Sequence, residues 1–282
     1  MYRLGSWASD TEETRRLRER MVAALVQAGD ITDERWRHAF ATAPRHALIP
    51  RYYRSDHYHE VEATIDHSMW LQSVYSDETL ITQKTARTVT SSGTMPGLLA
   101  LMLQALDVRD HHRVCQVGTG TGYTAGLLCE RLGSAGVTTL DIDSSLVQAA
   151  SKRLAALGYY PTAITAHGAH GYPPNAPYDR FLATCALRRI PSAWLAQARP
   201  GARIVAPIAT GLIALDVRDA HHATGRFLAA GGYFMPLRDS PDDGTAPVTG
   251  GAKRSTSSTC AFSSRSPCPR CPSVNTARPS TI

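Results

Sequence analysis

In the stretch "RVCQVGTGTGYTAGLLCERLG", residues 113–133, an apolar run ends at Val117 and glycines follow at the alternate positions 118, 120 and 122. A small, apolar segment with the composition of a helix then leads to Gly133. A strand, a glycine-rich turn and a helix in this order form the first unit of a doubly wound α/β fold. Glycines there allow positive φ angles and, lacking a Cβ atom, let a ligand lie against the backbone. The stretch therefore predicts a binding loop, although a tight turn with packing glycines is the alternative.

The spacing of the glycines in this loop limits the kinds of ligand that it can bind. A dinucleotide fingerprint needs glycine where Tyr123 stands, and a P-loop needs Gly-Lys-Ser/Thr where Gly122 is followed by Tyr and Thr. Asp141 comes nineteen residues after Gly122, at the end of the next predicted strand, where a carboxylate can accept hydrogen bonds from both ribose hydroxyls. Loop and acid together favour a nucleoside without a pyrophosphate, such as S-adenosylmethionine. Asp143 is an alternative ribose partner or a helix N-cap.

Working outward, the chain from about Pro96 alternates apolar helical and strand patterns, which predicts a parallel sheet with right-handed crossovers. The segments "LIALDVR" (212–218) and "GRFLAAGGYFMPLR" (225–238) predict a final antiparallel strand pair. Upstream, residues 9–29 have leucine and methionine at four-residue spacing and predict a helix. Residues 50–90 are expected to be irregular, with packed aromatic side chains. The predicted regions are an N-terminal helical and substrate-side region (1–90), a ligand-binding core (91–238) and a disordered tail (239–282).

Composition and charge exclude several classes of protein. The net charge is +6, but five of the basic residues and none of the acidic ones follow Gly244, so the rest is nearly neutral and a nucleic-acid surface is not expected. The N-terminus has no apolar signal segment, and no run of eighteen apolar residues occurs. We therefore expect a cytoplasmic protein without membrane contact, and a monomer.

Cysteine and histidine patterns give no metal site. Cys115, Cys129 and Cys185 lie in apolar segments, where a reduced cysteine packs as a small hydrophobic residue. Cys268 and Cys271 form the single C-x-x-C, which without a second pair is a poor zinc signal. No G-x-S-x-G is present, so serine hydrolysis is not expected.

Several segments in order resemble the protein-L-isoaspartate O-methyltransferase family, from about residue 15 to residue 238. They are "TAPRHALIP" (42–50), "TMPGLLALMLQAL" (94–106), "VGTGTGY" (117–123), "APYDRFLATCALRRIP" (176–191), "LAQARPGARIVAPI" (195–208) and "GGYFMPL" (231–237). The wording of "YSDETLITQ" and "ALRRIP" is similar to actinobacterial members that act on ribosomally made peptides.

This resemblance implies a seven-stranded, mostly parallel, Rossmann-like methyltransferase sheet with S-adenosylmethionine as cofactor and a protein or peptide carboxylate as acceptor. It implies a cofactor site at Gly118, Thr119, Gly120, Gly122, Tyr123, Asp141, His167 and Gly168. A carboxylate is already ionised at neutral pH, so this chemistry needs no general base.

The acceptor side is assigned by the same resemblance. Thr94 falls on the family's serine or threonine, whose hydroxyl can hold one carboxylate oxygen and aim the other. Thr94 could instead cap the helix that begins at Pro96, and both roles can coexist. Ser91 and Ser92 are expected substrate contacts, with loop filler as the alternative.

Two positions depart from the family pattern: the later glycine pair is Gly201-Ala202 here, and the other departure lies in the predicted cofactor site. The family's Gly-Asp-Gly motif is Ala166-His167-Gly168 here, and the aspartate normally accepts a hydrogen bond from the adenine amino group. A histidine accepts less strongly and not when protonated, so cofactor binding is expected to be weaker by about 1 kcal/mol. His167 could equally be a surface loop residue.

The sequence leaves the substrate open. Isoaspartate repair and methylation of a defined aspartate in a maturing peptide both fit the resemblance, because substrates are recognised by loops. A small-molecule methyltransferase or a non-catalytic family member are the other hypotheses.

Overall fold

The computed structural model of the chain describes residues 5–55, 58–85 and 88–240. Within these residues the α-helices are 4 to 16 residues long. They are α1 (Glu12–Gln27), α2 (Glu34–Thr42), α3 (Arg45–Leu48), α4 (His67–Val74), α5 (Pro96–Leu106), α6 (Tyr123–Leu132), α7 (Ser144–Ala156) and α8 (Ser192–Gln197).

The larger of two sheets has seven strands in the order β11-β10-β9-β8-β5-β6-β7. They are β5 (Val114–Val117), β6 (Val137–Asp141), β7 (Thr162–Thr165), β8 (Tyr178–Ala183), β9 (Ala198–Ile208), β10 (Gly211–Val217) and β11 (Ala223–Gly231). Strands β7, β6, β5, β8 and β9 pair in parallel, and β10 pairs antiparallel with both β9 and β11. The predicted α/β fold with a mostly parallel sheet and a final antiparallel pair is confirmed.

Apolar side chains cover both faces of this sheet. Along β8, Phe181 packs with Trp194 of α8 in one core cluster, whereas the next residue, Leu182, packs in the cluster that contains α5 and α6. Successive side chains of a strand point to opposite faces, so both clusters need helices to cover them. This is the doubly wound arrangement that the glycine-loop stretch predicts.

The N-terminal helical region is also present. Thr11 caps α1 by accepting a hydrogen bond from the Thr14 amide, and Leu17, Met21 and Leu25 are buried along its inner face. Gly29 follows with φ of +77°, which ends the helix. Helix α2 packs next on α6, so this region lies against the core of the larger sheet.

Residues 50–90 are not irregular, and that prediction is wrong. They form helix α4 and a four-stranded antiparallel sheet in the order β2-β1-β3-β4. Its strands are β1 (Arg51–Tyr53), β2 (Glu60–Glu62), β3 (Leu80–Lys84) and β4 (Val89–Gly93). Strands of three to five residues give too little alternation to be recognised in a sequence. In addition, β1 pairs with β3, and the whole of α4 lies between these two strands along the chain. The aromatic residues of this region do pack as expected: Trp70, Tyr52 and Tyr75 are buried.

The described part of the chain contains no helix that is both long and apolar enough to cross a membrane. The predicted tail beyond residue 240, with Cys260, Cys268 and Cys271, lies outside the described residues. The division into regions at residues 90 and 238 stays a prediction.

Candidate active site

A cleft opens where β5, β6 and β8 end. Its floor is formed by the turn after β5 and by Asp141, and one wall by residues 90–92 of β4. The opposite wall is formed by residues 235–238, and the open space measures about 570 Å³. The chain leaves β5 toward β6 on one side and returns in β8 on the other, and this reversal creates a crevice at the carboxyl ends of parallel strands.

The glycine loop forms this floor because other residues would not fit. Gly118 has φ of +99°, and a Cβ atom there would lie 2.6 Å from Thr184 Oγ1. Gly120 has φ of +50°, and its amide donates a hydrogen bond to Asp141 Oδ2, with an N–O distance of 3.0 Å. A Cβ atom on Gly120 would lie 3.6 Å from Ser91 Oγ, which places β4 directly across the loop. Both glycines line the cleft and leave bare backbone facing it.

Thr119 anchors the loop from beneath. Its hydroxyl lies 2.8 Å from Thr139 Oγ1, and Thr139 donates to Gln116 Oε1 at 2.6 Å. All three side chains are buried, so this network fixes the loop on the sheet. Thr119 is not among the residues that line the cleft.

Gly122 and Tyr123 also serve packing. A Cβ atom on Gly122 would lie 3.2 Å from Ala150 Cβ, so glycine lets α6 and α7 approach. The Tyr123 ring packs edge-to-face on Phe40 at 6.2 Å and lies 4.8 Å from the Arg45 guanidinium carbon. Burial raises the pKa of Tyr123, which keeps the phenol neutral. Neither residue lines the cleft, and their predicted cofactor roles stay predictions.

Asp141 is the buried carboxylate of the cleft, with 9% of its surface exposed. Oδ2 accepts from the Gly120 amide at 3.0 Å and Oδ1 from the Asp143 amide at 3.2 Å. A carboxylate offers about four acceptor positions, so two hydroxyl groups can still be accommodated. Burial raises the pKa of Asp141, against the lowering effect of these two amides and of the Arg238 charge.

Asp143 acts as the N-cap of α7. Its Oδ1 accepts from the amides of Ser145 and Leu146 at 2.8 and 3.3 Å. Of the two alternatives for this residue, the structure shows the cap, which leaves Asp141 as the carboxylate that lines the cleft.

The wall at residues 235–238 was missed by sequence reasoning. The segment was expected to continue the last strand, but β11 ends at Gly231, and the following residues return to the end of β8. There Ala186 donates to the Met235 carbonyl at 2.7 Å and accepts from the Leu237 amide at 2.8 Å. The return places Arg238 Nη2 3.7 Å from Asp141 Oδ1, with both side chains buried. The Gly231-Gly232 pair was the one local signal of a change in direction.

Strand β4 supplies the hydroxyl groups of the wall formed by residues 90–92. Ser91 and Ser92 line the cleft beside Thr90, and Ser91 Oγ accepts from Thr82 Oγ1 at 3.1 Å. Thr94 follows at the end of the strand outside the lining, where its carbonyl oxygen accepts from Arg45 Nη2 at 3.2 Å.

Thr94 does not cap α5. Met95 occupies the N-cap position without a side-chain hydrogen bond, and Asp77 Oδ1 instead accepts from the Gly97 amide at 2.7 Å. The structure therefore removes the capping alternative for Thr94.

The residues present fit a ribonucleoside. Gly118 and Gly120 leave a backbone cradle that a Cβ atom would fill, and Asp141 presents an acceptor for ribose hydroxyls. Gly168 also lines the cleft, and its glycine is required by packing, because a Cβ atom there would lie 2.3 Å from Val117 Cγ1.

The comparisons with known proteins agree with this geometry. Residues 15–223 match the family model described as protein-L-isoaspartate(D-aspartate) O-methyltransferase (PCMT). The chain belongs to this family. Protein-L-isoaspartate O-methyltransferases from Methanosarcina mazei and Methanopyrus kandleri are each 30% identical to it, over 70% and 71% of the chain and 72% and 80% of their own lengths. Membership in the PCMT family confirms an enzyme, a methyltransferase, with S-adenosylmethionine as its methyl donor.

Two solved structures share the fold. A protein-L-isoaspartate O-methyltransferase superimposes with a TM-score of 0.65 at 22% identity, over 78% of this chain and 65% of that one. A Plasmodium falciparum structure in complex with S-adenosyl-L-homocysteine gives a TM-score of 0.60 at 13% identity, over 80% of this chain and 99% of that one.

His167, the predicted departure from the family motif, forms hydrogen bonds within the protein. Its Nδ1 accepts from the Ala169 amide at 3.2 Å, so the proton lies on Nε2, 3.1 Å from Asp239 Oδ1. Both ring nitrogens thus have protein partners, and an adenine amino group would have to displace one of them. The adenine-binding role of His167 stays a prediction, whereas Gly168 lines the cleft beside Val117.

Proposed function

We propose that this chain transfers a methyl group from S-adenosylmethionine to the side-chain carboxylate of an isoaspartyl residue in a protein or peptide. The proposal rests on one cleft, in which the glycine loop and Asp141 face the hydroxyl groups of β4. Family membership and the two archaeal relatives, both protein-L-isoaspartate O-methyltransferases, support the isoaspartyl acceptor.

Within this proposal the floor of the cleft and its β4 wall have separate tasks. The bare backbone at Gly118 and Gly120 and the Asp141 carboxylate hold the cofactor, and Gly168 lines the same cleft. The cofactor, when bound, supplies an electrophilic methyl group whose bond to sulfur breaks as a carboxylate oxygen takes it, leaving the electron pair on sulfur. Ser91, Ser92 and Thr94 orient the incoming carboxylate.

The lining of the cleft suits an acceptor that needs no base. Asp141, Cys185 and Arg238 are the titratable residues among those that line it. Burial and then the Asp141 charge raise the pKa of Cys185 to about 12, so its thiol stays neutral and does not compete as a nucleophile. A carboxylate of pKa about 4 enters already ionised, and the protein has only to orient and desolvate it.

Thr94 is proposed as the hydroxyl that holds one oxygen of the acceptor. Thr94→Val keeps the shape and removes the donor, so kcat on an isoaspartyl peptide is expected to fall roughly tenfold, about 1.4 kcal/mol. Thr94→Ser restores the donor and serves as the matched control. Equal rates in Thr94→Val and wild type would remove Thr94 from the mechanism.

The decisive experiment pairs two peptides that differ only in containing Asp or isoAsp at one position. Each is incubated with the purified chain and S-adenosylmethionine, and ester formation is followed by mass spectrometry. Ester on the isoAsp peptide alone is the expected result. Ester on the Asp peptide alone would instead indicate a dedicated peptide substrate, and ester on neither, with the protein folded, would refute the proposal.

A further inference from the structure

Hairpin β3–β4 is joined to the cofactor side of the cleft by one side chain. Gln83 of β3 donates from Nε2 to Asp143 Oδ2 at 2.9 Å, while its Oε1 accepts from Thr90 Oγ1 of β4 at 2.7 Å. Thr90 lines the cleft, and Asp143 lies two residues after Asp141. The Gln83 amide therefore connects the β4 wall of the cleft to the loop that follows Asp141.

This bridge matters because it joins β4 directly to the loop after β6, whereas the hydrogen bond from Arg45 to the Thr94 carbonyl ties the end of the strand to α3. Among the described strands, β4 is the edge strand of its sheet and pairs with β3 alone. Its outer side faces Gly120: Ser91 Oγ lies 3.6 Å from the position that a Cβ atom on Gly120 would occupy. A small outward movement of the hairpin would carry Ser91, Ser92 and the following Thr94 away from the loop.

The two oxygens of Asp143 have separate tasks, which makes the bridge testable. Oδ1 caps α7 through the Ser145 and Leu146 amides, and Oδ2 accepts from Gln83. Hydrogen bonds from Ser145 and Gln83 outweigh burial and lower the pKa of Asp143, so this acceptor is ionised at neutral pH.

We propose that Gln83 is a positioning residue that clasps the β3–β4 hairpin to the loop after β6. It thereby sets the distance between the β4 wall and the glycine-loop floor of the cleft. The inference rests on the proposed function, and it concerns the placement of the acceptor rather than the binding of the cofactor. Breaking the clasp therefore reduces methyl transfer more than it reduces affinity for S-adenosylhomocysteine.

Two variants break the clasp from opposite sides. Gln83→Leu removes the bridging amide, and Asp143→Ser removes Oδ2 while keeping a residue type favoured at helix N-caps. In each, kcat/KM on an isoaspartyl peptide is expected to fall roughly tenfold, with the Kd of S-adenosylhomocysteine within about threefold of wild type. The double variant is expected to be no worse than either single one, because both remove the same contact.

A compensating pair distinguishes positioning from general damage. Gln83→Glu places two carboxylates together and is expected to lower kcat/KM, and Gln83→Glu with Asp143→Asn restores a donor–acceptor pair and most of the activity. Ser145→Ala is the matched control, because it removes a 2.6 Å hydrogen bond to Oδ1 and leaves Oδ2 untouched. Hydrogen exchange across residues 80–93 is expected to quicken in Gln83→Leu and Asp143→Ser and not in Ser145→Ala.

The outcomes separate the clasp from the proposed function. A wild-type chain that binds S-adenosylhomocysteine but methylates no isoaspartyl peptide refutes the proposed function, and with it the acceptor role assigned here. A wild-type chain that is active, with unchanged kcat/KM and exchange in both single variants, overturns the clasp alone. Loss of cofactor affinity equal to the loss of kcat/KM, or no recovery in the compensating pair, also overturns it.

Discussion

A polar cleft lies at each end of strands β5 and β8, and the charged residues of the two clefts are paired in different ways. At the carboxyl end, Asp141 is buried among backbone amides and keeps acceptor positions for a ligand. At the amino end, arginines and aspartates from the segment before β5 and from strands β8, β9 and β10 pair with each other across about 740 Å³ of open space. There Arg180 lies 3.6 Å from Asp107 Oδ2, Arg199 lies 3.4 Å from Asp179, and Arg203 lies 2.8 Å from Asp216.

The difference shows that concavity and charge alone do not mark a binding site. Most of the amino-end charges are paired, with three aspartates facing four arginines, and Arg180 also donates to the Asp107 and Asp179 carbonyls. The carboxyl-end cleft instead exposes backbone that its glycines keep clear. We expect the first cleft to contribute to stability and the second to binding.

Arg180→Met tests the structural role of the amino-end cleft. The buried guanidinium bonds two carbonyl groups, and its loss leaves them without these donors, so the free energy of unfolding should fall by about 3 kcal/mol. Denaturant titration measures this change. The Kd of S-adenosylhomocysteine on the folded variant should stay within about twofold, and a larger change would erase the contrast between the clefts.

Asp141→Ala tests the carboxyl end. Removing an ionised acceptor of ribose hydroxyls should weaken S-adenosylhomocysteine binding by about 2 kcal/mol, roughly thirtyfold. Calorimetry on the folded variant gives the value. An affinity equal to wild type would show that the cofactor does not use this carboxylate.

The pH dependence of binding should differ between wild type and Arg238→Met. Burial raises the pKa of Asp141, so affinity should be constant above that pKa and fall by about 1 kcal/mol, roughly fivefold, as pH drops through it and the acceptor is protonated. The groups facing this carboxylate are Arg238, Asp143 and the neutral Cys185 thiol. Removing the Arg238 charge takes away the one cation of this set, so the fall should begin at higher pH.

Arg238→Lys keeps the charge and is the matched control for this profile. Superimposable curves for wild type and Arg238→Met would contradict the electrostatic role of Arg238. At the amino end the Arg203 hydrogen bond lowers the pKa of Asp216, so the stability from that pair is present above the ordinary aspartate pKa and is lost only as pH falls through the lowered value. Binding should therefore weaken at a higher pH than this pair breaks.

Asp216→Asn should have the smallest effect. Its side chain is half exposed and its partner Arg203 a third exposed, so the pair contributes about 0.5 kcal/mol or less to stability. Thermal unfolding and calorimetry should both give values near wild type. A marked loss of S-adenosylhomocysteine affinity would show that the amino-end cleft takes part in binding.

Features set by the backbone were predictable from the sequence. Gly118, Gly120 and Asp141 line one cleft because a glycine turn and the end of the next strand meet at the same sheet edge, and their cofactor-binding role stays a prediction. The direction of a side chain at a helix start is not readable in this way, and Tyr123 lies in the core against Phe40.

The missed parts depend on contacts between distant residues. Arg238 reaches Asp141 only because the chain turns back after β11, and Gln83 reaches Asp143 only because short strands form a hairpin beside the loop. Neither pairing leaves a periodic pattern in the sequence. The small sheet was missed for the same reason.

The return of residues 235–238 has a consequence for synthesis of the protein. The glycine loop and Asp141 leave the ribosome roughly a hundred residues before Arg238, yet the cleft gains its second wall only when Met235 and Leu237 bond to Ala186. A nascent chain that ends at Gly231 has the loop but not the wall, so the ligand gives it little of the stabilisation that it gives the finished fold. A chain that ends at Gly231 is therefore expected to bind the ligand more weakly than one that includes residues 235–238.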